Sequence, residues 1–566
     1  MTNFAPLNGL AINTARRTST QTAYTGFLAD EKQDPVFFLD LTYRSRNELD
    51  TLQTPPAGHN VLPINVTRAS PLFTPDGGQM FFSSKNWIGR PDDPLRPNHA
   101  PKRRLVAAFR VRRSTPYFPN EESRIQTTIA NATLTNPDGD LDFLAIEQTT
   151  EGHRAPIWHG PLDGDFGQMQ RLVQPTVRGV ETNGDELVIQ FGTQATIFAN
   201  LALQRSRFDG TGGINGDLAL KGTLKPMLFG SVFNMEPMTL YAAQLIYMVN
   251  AGPVSGIGPV WDGGAEIPFD QDFPTFEALA AATIAPGHYA TCRIAGCFRL
   301  QIPPFRKLTC SVRGDVSGGV YRQDTGTILL HVLTTLSGRQ TSLFNISSFG
   351  QLSKAPIGFY NERRDYTVED FINLLLRPEN AVLGETQTGL IGIIKHRPPR
   401  TQSALRVLRP RPSQIDSRLL DYIPYASQAV RYGRNWAPLA ESDFASGVGD
   451  IARQPFRDQW QTVRDTSGLI SGFSNVASQE GVKDTFWARD QSDAAQSQAN
   501  DDIQMFGRAT VGLTIRGLGR EAFGIRDGEV VNLVVNKFGF ENGRNVVVVG
   551  VDQSAKGEVV DLEVIV

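Results

Sequence analysis

EVVNLVVNKFGFENGRNVVVVGVDQ, Glu529 to Gln553, is two Val-rich runs separated by a break that carries two glycines. Short runs of β-branched residues bounded by turn formers read as strands. ATVGLTIRG (Ala509–Gly517) before it and EVVDLEVIV (Glu558–Val566) after it continue the pattern, so the end of the chain is expected to be an antiparallel meander. Its turns are expected at Arg526-Asp527-Gly528 and Glu541-Asn542-Gly543, where Gly supplies the positive φ of a tight reversal.

The same grammar opens the chain. After a polar, aperiodic arm over residues 1–34 come VFFLDLTYR (from Val36), NVLPINVTR (from Asn60), RRLVAAFRVRR (from Arg103), TIANATLTN (from Thr128), FLAIEQT (from Phe143) and DELVIQFGT (from Asp185), spaced as in a barrel or sandwich. Two helices are expected between the β ends, TGTILLHVLTTL (Thr325–Leu336) and TVEDFINLLL, the second starting at Thr367 with Glu369 and Asp370 in its first turn. The fold class is therefore mainly β with a mixed α+β middle, the two ends of the chain forming two β-barrel-like domains. The expected division is an arm (1–34), a first β-barrel domain (35–220), a β-rich domain (221–321), an α/β domain (322–400) and a C-terminal β-barrel domain (401–566). Within the last, residues 443–507 are polar and Ala/Gln/Asp-rich and form a helical insertion, with a surface helix between Phe486 and Phe506. The basic, Pro-rich KHRPPRTQSALRVLRPRPS, Lys395 to Ser413, marks a boundary.

A net charge of -3 gives no general attraction to nucleic acid or anionic membrane. No stretch approaches the roughly 20 apolar residues of a membrane span, and the N-terminus lacks a signal-peptide pattern. The 3 cysteines, Cys292, Cys297 and Cys310, make no disulfide framework. With His288 they lack the spacing of a structural zinc site, and they read as small buried hydrophobes.

TLTNPDGDLDFLAI, Thr133 to Ile146, spaces Asp138, Asp140 and Asp142 like the start of a calcium loop, but Phe143 stands where that loop needs Gly and Thr149 where it needs Glu. The expectation is a turn over Asn136-Pro137-Asp138-Gly139, then a strand with Asp140 and Asp142 facing water and Leu141 and Phe143 facing the core. No Gly precedes a Lys, no Ser lies in G-x-S-x-G and no His is followed by Glu, so the common nucleotide and hydrolase signatures are missing. Gly447, Gly449 and Ala452 match G-x-G-x-x-A after a polar segment rather than a strand. Asp163 and Asp165 in PLDGDFG are the carboxylate pair a cell-wall hydrolase would use, and Asp-Gly-Asp more often makes a turn. Arg104, Arg110 and Arg112 alternate with apolar residues as one solvated strand face. No catalytic, cofactor or metal residue is assigned.

Five segments in order carry a resemblance: WIGRPDDPLRPN (Trp87–Asn98), ANATLTNPDGDLDFLA (Ala130–Ala145), LKGTLKPMLFGSVFNMEPMTL (Leu220–Leu240), GCFRLQIPPFRKLTCSVRGDV (Gly296–Val316) and YGRNWAPL (Tyr432–Leu439). Together they resemble the baseplate hub or tail-tip proteins of long-tailed bacteriophages and related gene transfer agents, over most of the chain from Val36 onward. The resemblance implies a homotrimeric hub that contacts the distal tail protein ring, the tail tube and the tip fibre or central tip proteins. It implies passage of DNA through the hub, no catalytic residues, and a place in the virion after assembly in the host bacterial cytoplasm. Some such relatives hold an iron–sulfur cluster on four Cys, whereas this chain has three. It also implies that the two terminal sections alternate as related barrels round a pseudo-six-fold ring of three chains. The alternative is a tail-associated receptor- or carbohydrate-binding protein, which requires an exposed aromatic platform from Trp87, Trp158, Trp261, Trp436, Trp460 and Trp487.

Overall fold

The computed structural model describes residues 34–45, 78–107, 110–118, 125–146, 148–192, 198, 200–362, 365–386, 389–418, 420, 424–466, 479–508, 510–554 and 558–566. The arm and the NVLPINVTR run lie outside them. The architecture is mainly β, in several sheets with few helices, and among the described residues no sheet closes on itself.

The opening stretch forms the longest strand, Phe540–Ser554, which pairs with Val530–Val535 and with Val559–Ile565. The chain reverses before it at Phe538 and Gly539, with φ of +60° and +73°, the two consecutive positive values of a type I′ turn. The expected turn at Glu541-Asn542-Gly543 is therefore wrong. Gly543 (φ +78°) lies inside the strand, and the ladder to Val530–Val535 shifts register beside it. A Cβ there would come within 2.4 Å of Asn532 Oδ1, so Gly is required for close approach.

RRLVAAFRVRR is not one strand but three. Lys102–Arg103 runs parallel to Gly78–Ser83, Leu105–Ala107 pairs with Ala132–Thr135, and Arg110–Ser114 crosses over to pair with the far half of Phe540–Ser554. Gln126–Ile129 follows on the outer side of Arg110–Ser114. The first section of the chain thus completes the C-terminal sheet. One apolar core contains Leu39, Leu41, Leu134 and Ile189 from one end together with Ile515, Phe523, Val531, Val548 and Leu562 from the other.

The middle holds two five-stranded sheets between residues 228 and 360, a two-stranded pair and both expected helices. Helix Val368–Leu376 begins at a Thr367–Asp370 capping box, as its sequence signal requires. Tyr425–Tyr432 sits between Gln461–Thr466 and Gln479–Asp484 in a small sheet backed by helix Ser492–Phe506. That helix lies at the surface, as expected, with Ser492, Asp493, Gln496, Ser497 and Asn500 exposed, but its other face is deep: Ala495, Ala499, Ile503 and Phe506 are buried, and the first two join the core built by helices Thr325–His331 and Val368–Leu376. Small Ala side chains let the helix approach closely, which its polar composition conceals.

Candidate functional site

TLTNPDGDLDFLAI is a turn, followed by helix rather than strand. Gly139 N–H donates to Asn136 O (3.2 Å) and Gly139 takes φ +68°. The Asn136 side chain accepts from Leu141 N–H (2.9 Å) and donates to Asp142 (2.7 Å), which winds Asp142–Ile146 into a short helix. The acids do not converge on an ion. Arg104 holds Asp138 through two bonds (2.5 and 2.6 Å) and reaches Asp140 at 3.4 Å, and the Arg104 hydrogen bond draws the Asp138 carboxyl well below the usual carboxylate range.

The cysteines are likewise dispersed. Cys292 and Cys297 face each other on adjacent strands, while Cys310 belongs to a neighbouring core and burial pushes its thiol up. His288 bonds the Pro286 carbonyl at 2.8 Å through Nδ1. Gly449 caps helix Asp450–Arg457 and follows a 3₁₀ turn, without the strand a dinucleotide loop needs.

One Ser–His–Asp grouping was missed, because Asp315, Ser317 and His331 match no short motif. Ser317 Oγ donates to Asp315 Oδ2 (2.6 Å) and lies 3.1 Å from His331 Nε2, while His331 Nδ1 is buried without a partner. The carboxylate meets the same ring nitrogen as the serine (3.6 Å) rather than the opposite one, so nothing orients the imidazole as a base. The group is a brace at the foot of helix Thr325–His331.

Two features present chemistry outward or between sections. The first is the WIGRPDDPLRPN loop, which clamps the PLDGDFG turn: Trp87 Nε1 donates to Gly164 O (3.0 Å) and Arg90 to Asp163 O (2.6 Å), with Asp165 3.6 Å from Arg90. Asp163 and Asp165 are thus used in a loop clamp. Buried Asp93 accepts from the N–H groups of Phe166 (2.6 Å), Leu95 (2.8 Å) and Arg96 (3.0 Å). Burial acts to raise its pKa, and those bonds together with the Arg96 charge outweigh it and hold the carboxyl low. On this braced scaffold Ile88 and Leu95 are 70% and 64% exposed, a rigid apolar projection suited to contact with another chain.

The second is the joint between the chain ends. His159, fully buried, stacks on Phe37 (4.6 Å between centroids) beside Phe523 (5.1 Å), with Nε2 2.8 Å from Glu558 Oε1. Arg520 holds the other oxygen of Glu558 at 2.8 and 3.0 Å. Burial lowers the His159 pKa despite the opposing hydrogen bond to the Glu558 carboxylate. Glu558 is left-handed (φ +49°), a strained backbone held by both partners. A second link between the ends is made by Arg113, which donates to Glu385 O (2.5 Å) and Asp527 (3.3 Å), with Thr115 donating to Asp527 (2.9 Å), all buried.

Of the five resembling segments, three meet in space. Strand Leu228–Met235 pairs with Leu308–Asp315, and Asn234 Nδ2 donates to Asn435 Oδ1 (2.7 Å) and Ala437 O (2.8 Å) in YGRNWAPL. The other two lie in the first section. None of the six Trp side chains is exposed.

No family model and no curated protein matches the sequence. Among solved structures the chain is similar to the 43 kDa tail protein of prophage MuSo2 from Shewanella oneidensis, at 8% identity and TM-score 0.36, covering 82% of this chain and 95% of that one. A prophage tail protein from Listeria monocytogenes gives 8% identity, TM-score 0.36 and coverage of 82% and 90%. A tail protein from Neisseria meningitidis gives 8%, 0.30, and 83% and 93%.

Proposed function

We propose that the chain is a structural component of a phage tail baseplate, a hub that joins the distal end of the tail tube to the tip fibre and gates the DNA channel. The observation that carries this reading is the union of the two chain ends: strand Arg110–Ser114 completes the C-terminal sheet, and both ends fill one core. In this reading each copy presents the sheets of both chain ends from one shared core, and three copies offer six such positions to a six-fold tube. The ordered sequence resemblance supports the same role, and the braced Ile88–Leu95 projection suits a lateral contact between neighbours in such a ring. The acids and histidines that suggest chemistry are engaged in turns, clamps and braces, consistent with a role in assembly rather than catalysis.

The test is an image of the assembled particle with this chain labelled, which should show three copies at the distal end of the tube with the C-terminal strands inside the ring. Six copies, or a label away from the tube end, would sink the reading.

A further inference from the structure

The basic segment Lys395–Ser413 holds 5 Arg and 1 Lys and no Asp or Glu, in a chain whose net charge is -3. It is laid along the C-terminal sheet. Val407–Leu408 pairs in parallel with Val530–Val535, Asn532 N–H donates to Arg406 O (2.9 Å) and Asn545 Nδ2 donates to Gln402 O (2.8 Å). Arg406 turns inward to the carbonyls of Glu521 (3.4 Å) and Gly524 (3.3 Å), and Leu408 enters the shared core. Leu405, Val407 and Arg409 alternate with them and face outward, the two aliphatic side chains 68% and 49% exposed.

Two independent observations say what this face takes. The first is a cluster of arginines without counter-charge. Arg400 stands on the 3₁₀ turn Pro399–Thr401, which packs against strand Phe540–Ser554 with its Arg544, and Arg508 arrives just past the end of helix Ser492–Phe506. Burial, and then the charges of Arg508 and Arg544, lower the Arg400 pKa. Among the described residues none of these three guanidiniums, nor that of Arg409, makes a hydrogen bond or an ion pair. Arg110 and Arg112, also exposed, are by contrast paired with Asp552 (2.8 Å) and Glu563 (3.3 Å). Like charges gathered from three elements repel in the free chain, and the planar fork of a guanidinium matches a carboxylate.

The second observation is the aliphatic pair Leu405 and Val407 in the same outward row as Arg409. A nucleic-acid backbone would satisfy the arginines and leave these two side chains wet, whereas a protein surface covers both. Arginine around a small apolar centre is the composition of a protein interface.

We propose that this strip, Leu405, Val407 and Arg409 with the cluster of Arg400, Arg508 and Arg544, is the docking face for a partner polypeptide that presents apolar side chains flanked by carboxylates. The aliphatic pair supplies the dry centre, and the arginines steer the approach and fix the register. The inference goes beyond the hub reading and does not depend on it.

The test titrates the full chain into a labelled, blocked octapeptide alternating Glu and Leu and follows fluorescence anisotropy at low salt. Binding is expected, weakened about tenfold when Arg400, Arg508 and Arg544 are all changed to Gln and about tenfold by Leu405→Asp with Val407→Asp. Arg516→Gln, which removes an exposed arginine already paired with Asp416 (3.2 Å), should leave it unchanged. In the free chain Arg400→Gln should not lower the melting temperature, because it relieves repulsion, and a fall would overturn the proposal by showing that the arginines hold the fold. No binding, or binding untouched by the Arg→Gln changes, would overturn it too. Equal binding of polyglutamate would reduce the face to bare charge, and tighter binding of duplex DNA with the same arginine dependence would make it a nucleic-acid face. Self-association of the free chain that disappears in Leu405→Asp would assign the face to a second copy, and each of these three results would also overturn the proposal.

Discussion

The two ends of the chain are mated by buried charge, whereas the segment 425–439 is seated on the middle by amides and aromatic rings. At the ends, Arg113 meets Asp527 and His159 meets Glu558, pairs 414 and 399 positions apart. At the seat, buried Asn234 meets buried Asn435, and Trp436, Phe486 and Phe359 pack with centroids 5.5–6.2 Å apart. The difference is one of error tolerance. A charge buried without its partner costs far more than an unpaired amide, so the ends accept one alignment, while the seat tolerates substitution and is indifferent to pH.

Arg113→Met should break this contrast most sharply, because it leaves Asp527 buried without its cation. A loss of about 3–5 kcal/mol is expected in denaturant unfolding followed by a probe in the C-terminal sheet. A loss below about 1 kcal/mol would mean that Thr115 alone satisfies the carboxylate.

Acid should weaken the end-to-end joint and spare the seat. The folded pKa of His396, which neighbours Asp527, is about 4 against an ordinary 6.5, and that of His159 is also lowered, both chiefly by burial. The unfolded chain therefore takes up protons first, so this stability is complete above the ordinary value of about 6.5 and declines as pH falls through the folded value. For His396 the decline amounts to about 3 kcal/mol, read from melting between pH 7 and 4. His396→Phe should flatten most of that slope, and an unchanged slope would assign it elsewhere.

At the seat, Asn435→Ala should cost about 1–3 kcal/mol, since it leaves buried Ala437 N–H without its acceptor and takes one of two hydrogen bonds from Asn234 Nδ2 and from Phe456 O. Its effect should be the same at pH 5 and pH 8, and a pH-dependent cost would erase the distinction between the two regions. The smallest effect is expected at the NPDG turn. Gly139→Val should cost about 1 kcal/mol through its positive φ, and Asp140→Asn less than about 0.5 kcal/mol because its ion pair is exposed.

What the sequence made legible was local. Strand alternation located Pro35–Ser45, Glu186–Gly192 and Val559–Ile565, and Thr367 with Asp370 located a helix start. Errors arose where a side chain or a distant segment overruled local pattern. The Asn136 side chain turned an alternating run into a helix, and Phe538-Gly539 took a reversal expected at Asn542-Gly543. Small residues on Ser492–Phe506 hid a buried face behind polar composition. The bond between Arg110 and Asp552 spans 442 positions and has no local signature at either end. The same holds for His159, whose partner is known only once the sheets are assembled. Asp93, followed by Pro94, did carry a turn signal that could have located the braced loop.

The crossing of Arg110–Ser114 into the C-terminal sheet also sets a clock. On a ribosome adding about 5–20 residues per second, the partner strand follows some 20–90 s later. Through that interval the early segment has made its neighbours but has no place to dock, with Val111 and Ile129 wet and an edge unpaired. The newborn chain thus spends its synthesis as an incomplete body, open to capture by chaperones or by sister chains on the same message, and becomes self-sufficient only when its last strands emerge.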